Sequence, residues 1–231
     1  VRWIIGIVLG LYIGIILLLN IPYVQHQMSV LVAKELSSVL GSRLTIGRIN
    51  IGLLNRIIID DLMLNDQSGK ELLKVGRLSA KFEILPLFNG RISIGNVQLF
   101  SFNANLEKPT PQATSNFQFV LNAFASKDTV KKKSNLDLRI NSLLIRRGRV
   151  SYDVLSAKRT PGKFNPQHIR LSNILANISL KALQSDSINA AIKRMSIEED
   201  HSGFELKKLS LKIVANNKKM WIENFAIDLP N

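Results

Sequence analysis

Residues 44–51 read Leu44-Thr45-Ile46-Gly47-Arg48-Ile49-Asn50-Ile51, with apolar side chains at 44, 46, 49 and 51. Each half alternates with period two, the mark of a strand with one buried face. The two non-apolar residues at 47 and 48 interrupt that alternation. A slip of one residue would turn the second half to the wrong face. A β-bulge absorbs the extra residue and keeps the apolar side continuous. The stretch predicts one bulged, strongly twisted strand.

The same wording recurs along the chain in nine copies. The first four are Leu44, Ile46, Ile49 and Ile51; Ile57, Ile59, Leu62 and Leu64; Leu73, Val75, Leu78 and Ala80; and Ile92, Ile94, Val97 and Leu99. The next two are Leu138, Ile140, Leu143 and Ile145, then Ile169, Leu171, Ile174 and Ala176. The last three are Ala190, Ile192, Met195 and Ile197; Phe204, Leu206, Leu209 and Leu211; and Met220, Ile222, Phe225 and Ile227. Three share nearly one wording, IGRINI (46–51), VGRLSA (75–80) and IGNVQL (94–99), which puts Gly47, Gly76 and Gly95 at the expected bulge. The intervening positions are polar, as with Arg43, Thr45, Arg48 and Asn50, or Lys207, Lys208, Ser210 and Lys212.

Turn residues separate the copies: 65–69 (NDQSG), Asn89-Gly90 and Asn216-Asn217. Short links make neighbours antiparallel, so most of the sheet is expected to be a meander. Residues 109–135 read differently. Pro109 and Pro111 open this linker and a polar, basic run at 128–134 closes it, while Phe117, Val120, Leu121 and Phe124 mark a short helix over or beside the apolar face. Nine strands with four apolar residues each create a surface too large to stay wet. Either the sheet closes on itself around a packed core, or it curls into an open groove for an apolar ligand. On the second reading the groove lining is every position above except Leu73, Ala80, Ala176, Phe204, Met220 and the seventh copy.

At the N-terminus, residues 4–21 read IIGIVLGLYIGIILLLNI, and no charged residue occurs between Arg2 and Lys34. Eighteen helical residues span roughly 27 Å, about the hydrocarbon thickness of a bilayer. Trp3 and Tyr23 bracket the run at the positions interfacial rings favour. A cleaved signal peptide is the competing reading. The run is long for one, and no small-x-small site follows it. Arg2 argues for a cytoplasmic N-terminus, with the rest of the chain on the other side. Pro22 is expected to stop the helix. A second helix over 25–40 follows, with Met28, Leu31, Val32, Leu36, Val39 and Leu40 on one face and Gly41 as its stop. This helix is expected to cap the first strands rather than lie on a membrane.

Composition narrows the function. The net charge is +14, yet aromatics are only 6% and are not interleaved with the basic runs at 131–133, 146–149, 193–194, 207–208 and 218–219. No nucleic-acid partner is expected. The absence of cysteine excludes disulfides and thiolate metal sites. His26, His168 and His201 lack ligand spacing, 198–201 (EEDH) reads as a turn, and Asp60-Asp61 as solvated carboxylates. No phosphate loop, nucleophile elbow or HExxH occurs. No cofactor, metal or catalytic residue is expected.

The anchor, the helix, and then LTIGRINI, IIIDDLMLND, LLKVGRLSAKF and LFNGRISIGNVQL resemble the N-terminus of the AsmA-like superfamily. NFQFVLNAFASKD, LRINSLLIRRGRVSYDV and SGFELKKLSLKIVANNKKMWIENFAIDLPN resemble its translocation and assembly module (TamB) family, of the type found in Bacteroidota-like bacteria. The resemblance covers essentially the whole chain. It implies a mainly β protein with an N-terminal transmembrane helix, short helices and a curled antiparallel sheet forming a taco-like repeating β-groove. It further implies a single-pass inner-membrane protein of outer-membrane biogenesis, with the β domain in the periplasm and phospholipid conducted between the two membranes. The alternative is a scaffold for assembly or translocation of outer-membrane proteins with a barrel partner. Family members are longer, so the chain is read as an N-terminal fragment, with that partner met by a C-terminal region beyond these residues. The organisation expected is an anchor at 1–23, an amphipathic helix at 24–41, a first groove segment at 42–108, a linker at 109–135 and a second segment at 136–231. A membrane-tethered enzyme is the third class, and it requires a convergent polar pocket.

Overall fold

The computed structural model describes residues 2–52, 55–83, 92–125, 136–137, 141–183, 187–216 and 219–230. The Asn89-Gly90 turn, the runs at 128–134 and 217–218, Leu138 and Ile140 lie outside the described residues, as do the side chains of Ile92, Ile94 and Phe124.

Helix α1, Arg2–Leu19, has 18 residues of mean hydropathy 2.3, none of them buried, and is long and apolar enough to cross a membrane. Pro22 does more than end it. A proline's fixed φ and missing N–H suit the first turn of a helix, and Pro22 begins α2, Pro22–Leu40, three residues ahead of the expected start. Gly41, at φ 62° in the left-handed region, closes α2 by donating its N–H to Ser37 O.

Ten strands form one sheet: β1 (Leu44–Gly52), β2 (Arg56–Asn65), β3 (Glu71–Glu83), β4 (Ile92–Lys108), β5 (Leu136–Asp137), β6 (Ser142–Val154), β7 (His168–Leu183), β8 (Ser187–Glu199), β9 (Phe204–Asn216) and β10 (Met220–Asp228). The order is β1-β2-β3-β4-β6-β7-β8-β9-β10, with β5 paired to β4. Eight of the nine repeats each lie within one strand, and of the fifth, Leu143 and Ile145 lie in β6. The meander is broken once. β4 and β6 run parallel, from Asn96 beside Ser142 to Lys108 beside Val154. Parallel neighbours need a crossover, and the link between these strands carries α3, Gln118–Ala125. The two expected groove segments are consequently stretches of a single sheet, joined edge to edge.

The interruption in each repeat takes two forms. Between β1 and β2 the register is the same on both sides of it, Ile46 facing Leu62 and Arg48 facing Asp60, and β2–β3 and β3–β4 behave alike. Neither Gly47 nor Gly76 therefore makes the two-against-one bulge expected of it. Their strand neighbours Asp61 and Ser101 adopt φ of 54° and 53° instead. A Cβ on Gly47 would sit 2.9 Å from Asp61 Cβ, and one on Gly76 3.3 Å from Ser101 Cβ. The glycines make room for a left-handed neighbour. True register shifts occur at the same latitude in β6 to β10, and separately at Gly95, between the Lys81–Asn96 and Phe82–Ile94 pairs. Arg147, Asn173 and Asn224 continue the line at φ 56°, 48° and 53°. Most of the strands kink along one transverse line.

The fully packed core is small and lies at one end. Leu40 of α2, Leu44, Leu64 and Leu72 are buried together, with Phe117 beside α3 and Phe119, Val120 and Ala123 of α3 against them. The expected apolar stripe of α2 faces the sheet only in part, through Leu36 and Leu40. Gln25, Ser29 and Leu40 are buried, while Leu31 and Val39 are more than 60% exposed. Small and polar residues let α2 approach β1 closely and tie to it. Gln25 Nε2 donates to Asn50 Oδ1 at 2.5 Å, and Ser37 Oγ accepts from Leu44 N at 2.9 Å.

Candidate functional site

Residues facing one another across a sheet share a face, and the register assembles the repeats into rows. One row runs from edge to edge: Ile49, Ile59, Leu78, Leu99, Ile145, Ala176, Met195, Leu209 and Ile227. A second contains Ile51, Ile57, Ala80, Val97, Leu143, Ile178, Ile192 and Leu211. Beyond the kink line, Ile46, Leu62, Val75 and Phe102 align, as do Leu44, Leu64, Leu73, Ala104, Val150 and Leu171. Ile169 pairs with Tyr152, Leu206 with Ile197, and Ile222 with Ile213. Ile174 pairs with Gly148, across the kink. Alternation in β10 puts Phe225 on the face of Ile227. The register brings the described members of the expected lining onto one face.

Phe102, Val150, Tyr152 and Ile178 belong to these rows, as does Leu106, which pairs with Tyr152, but all five fall outside the eight-residue repeat. Their signal was available: alternation continues past the repeat in β4, β6 and β7, which run to 17, 13 and 16 residues.

The helices α2 and α3 cover one end of this face. Elsewhere among the described residues it is uncovered. Twelve apolar side chains are buried there and in the helix-capped core, and most of the rows beyond β3 are half-buried. On β10, Met220, Ile222, Phe225 and Ile227 are each more than half exposed. Among the described residues β1 and β10 each have one strand neighbour, so the described sheet does not close into a barrel.

Most polar groups are settled locally; among the described residues, Asn189 Oδ1 and His201 Nδ1 are buried without a hydrogen-bond partner. Glu199 accepts hydrogen bonds from Ser202 N at 2.7 Å, Ser202 Oγ at 2.6 Å and Arg170 N at 3.2 Å, which makes 199–203 the expected turn. Asp66 builds a similar turn, accepting from Ser68 N, Ser68 Oγ and Lys70 N at 2.7–2.9 Å. Burial pushes the Asp66 carboxyl up, and these bonds outweigh it to leave its pKa below the ordinary value. Asp60 takes Arg77 Nε at 2.6 Å, a bond and a charge that raise the Arg77 pKa. Asp61 points to solvent. His168 is buried, with Nδ1 2.7 Å from Asp153 Oδ1 and Nε2 3.0 Å from Ala157 O. His201 Nδ1 lies 3.3 Å from Glu199 Oε1. Among the described residues no cluster of three His, Asp or Glu could hold a metal ion.

No protein-family model matches the chain, and no curated protein matches it. The geometry by itself establishes a mainly β chain with one open, mixed sheet, apolar rows along one face, and an N-terminal helix long and apolar enough to cross a membrane.

Proposed function

We propose that this is an inner-membrane-anchored periplasmic protein of outer-membrane biogenesis. Its apolar sheet face, curled into a groove, holds phospholipid acyl chains in transit between the two membranes. The observation that carries this reading is the set of half-buried apolar rows, continuous across the strands and uncovered past β3 among the described residues. Leu, Ile, Val and Met make many weak dispersion contacts and ask for no fixed hydrogen-bond geometry. Such a surface suits chains of variable conformation that must keep moving. The helix α1 and the resemblance of the sequence to the AsmA-like superfamily support the same reading.

The test is photo-crosslinking in cells from a photoreactive residue at Leu143 or Leu209, on the apolar rows, against Gln98 or Lys208 on the opposite face. Lipid captured from the first pair and not from the second is the expected result. Capture only from Gln98 and Lys208 would defeat the proposal.

A second reading, a scaffold for assembling outer-membrane proteins, is favoured by β10. Its nine residues are all exposed and its outer edge pairs with nothing described. A free edge is suited to strand addition. A photoreactive residue at Trp221 would then capture unfolded outer-membrane polypeptide in place of lipid.

A further inference from the structure

The kink line has a second consequence, on the polar face. Where the alternation is interrupted, two successive side chains stand on that face, and the line gathers these pairs into one transverse band. In β1–β3 the band is balanced: Asp60 lies between Arg48 and Arg77 in register and is bound to Arg77. In β6, β8 and β9 the pairs are Arg146-Arg147, Lys193-Arg194 and Lys207-Lys208, all exposed. None of these six has an ion-pair partner among the described residues. The imbalance extends beyond the band. Residues 44–83 contain 6 Lys and Arg against 5 Asp and Glu, whereas 142–216 contain 13 against 6.

The band is a trough rather than a pocket. Shallow depressions of about 690 Å³ and 460 Å³ lie along it, the first between Lys193 and Lys208 and the second between Lys74 and Arg147. Glu198, Glu205 and Asp228 rim the first depression and only partly offset its four cations. Glu198 is also engaged by Asn173 Nδ2 at 2.7 Å. From β6 to β9 the cations spread over three strand spacings, about 15 Å. That spread fits many singly charged groups on a surface better than one small multivalent anion. Phe100, in register between Arg77 and Arg146, stands in the band, but no aromatic side chain stands on this face of β7–β9, so the row of stacked rings of a single-strand nucleic-acid groove is missing.

We propose that the polar face of β6–β9 docks on a bilayer surface bearing anionic phospholipid headgroups. Charge complementarity carries the assignment, and α1 keeps a bilayer at high effective concentration. The basic strands are several strands removed from α1; Asn20, the residue after α1, donates from Nδ2 to Ile51 O of β1 at 2.9 Å. Docking would therefore fix how the sheet lies relative to the membrane, whatever its apolar face carries. A Lys or Arg near such a surface contributes about a factor of five in occupancy.

The test uses the full chain, reconstituted in vesicles through α1. Since the chain has no cysteine, Ser210→Cys gives a single fluorophore site on the polar face, read by nitroxide-headgroup quenching. Strong quenching is expected in phosphatidylcholine vesicles containing 30% phosphatidylglycerol. It should fall several-fold in phosphatidylcholine alone and in 1 M NaCl, where the screening length is about 3 Å. The triple variant Arg146→Gln, Lys193→Gln, Lys207→Gln should lower occupancy by about two orders of magnitude with the strand circular dichroism unchanged. Equal quenching in neutral and anionic vesicles overturns the proposal, and so does a folded triple variant that quenches like the parent. Loss of quenching in anionic vesicles on adding soluble polyglutamate at low concentration would assign the face to an acidic polypeptide and overturn it too. The lipid and salt arms use the unaltered cations, so they decide the matter even if the triple variant loses its strands. Neither arm depends on lipid capture at Leu143 or Leu209.

Discussion

Glu199 stands opposite Leu171, where the repeat would place an apolar side chain, and is 2% exposed. Burial pushes its carboxyl up, but hydrogen bonds from Ser202 Oγ and from the backbone N–H groups of Ser202, Arg170 and His201 outweigh that and hold the pKa at about 2. Relative to an ordinary value of 4.5, this is about 3 kcal/mol of stability tied to the ionised form. A depressed carboxylate contributes that stability in full above its unfolded value and loses it as pH falls through its folded value. The window is thus from about pH 4.5 down to about pH 2. Glu199→Gln should lower the unfolding temperature at pH 7, and the gap to the parent should close as pH approaches 2. A gap independent of pH in thermal melts would contradict this account. The sequence marked 198–203 as a turn, but not that its carboxylate would be dehydrated, because only the fold brings Arg170 N to it. The kink residues carry the same lesson. Gly47 and Gly76 stood out in the sequence, whereas the left-handed backbone belongs to Asp61 and Ser101 on the neighbouring strands.

At the scale of elements, α2 shows where hydrophobic periodicity misleads. Apolar residues at 28, 31, 32, 36, 39 and 40 predicted the contact face; Leu36 and Leu40 do lie on it, but Leu31 and Val39 do not, and Gln25, Ser29 and Ala33 take part instead. Hydrogen bonds decide the rotation. Ser37 Oγ donates to Ala33 O at 2.6 Å and accepts from the N–H of buried Leu44 at 2.9 Å. Ser37→Ala strands that N–H, at a cost of about 1–3 kcal/mol. Ser37→Thr keeps the hydroxyl and should restore most of it. Denaturant midpoints for the two variants check this, and equal midpoints would exclude the hydrogen bond as the cause. Other elements were legible. The stop at Gly41, the short helix after Phe117 and the position of the long strands other than β6 followed from local chemistry.

For the whole molecule, stability should be graded across the sheet. β3 and β4 are flanked by strands on both sides and lie near the helix-capped core, while β10 has one neighbour and nine exposed residues. Local opening is least costly where burial is least. Amide exchange followed by mass spectrometry should therefore be fastest at 220–228 and slowest at 73–80 and 97–104. Equal protection at both would mean that something covers β10 in solution. By itself, the sequence determined the anchor-like helix and the existence and sidedness of the nine long strands, but not the two-residue β5. These follow from patterns a few residues long, set by the helical rise and the two-residue strand period. Only the tertiary structure decided the parallel seam between β4 and β6, the unclosed edges, the rotation of α2 and the alignment of kinks into one transverse band that is basic in β6, β8 and β9. Each depends on register between residues tens of positions apart, and hydrogen-bonded pairing fixes that register only once the strands are side by side.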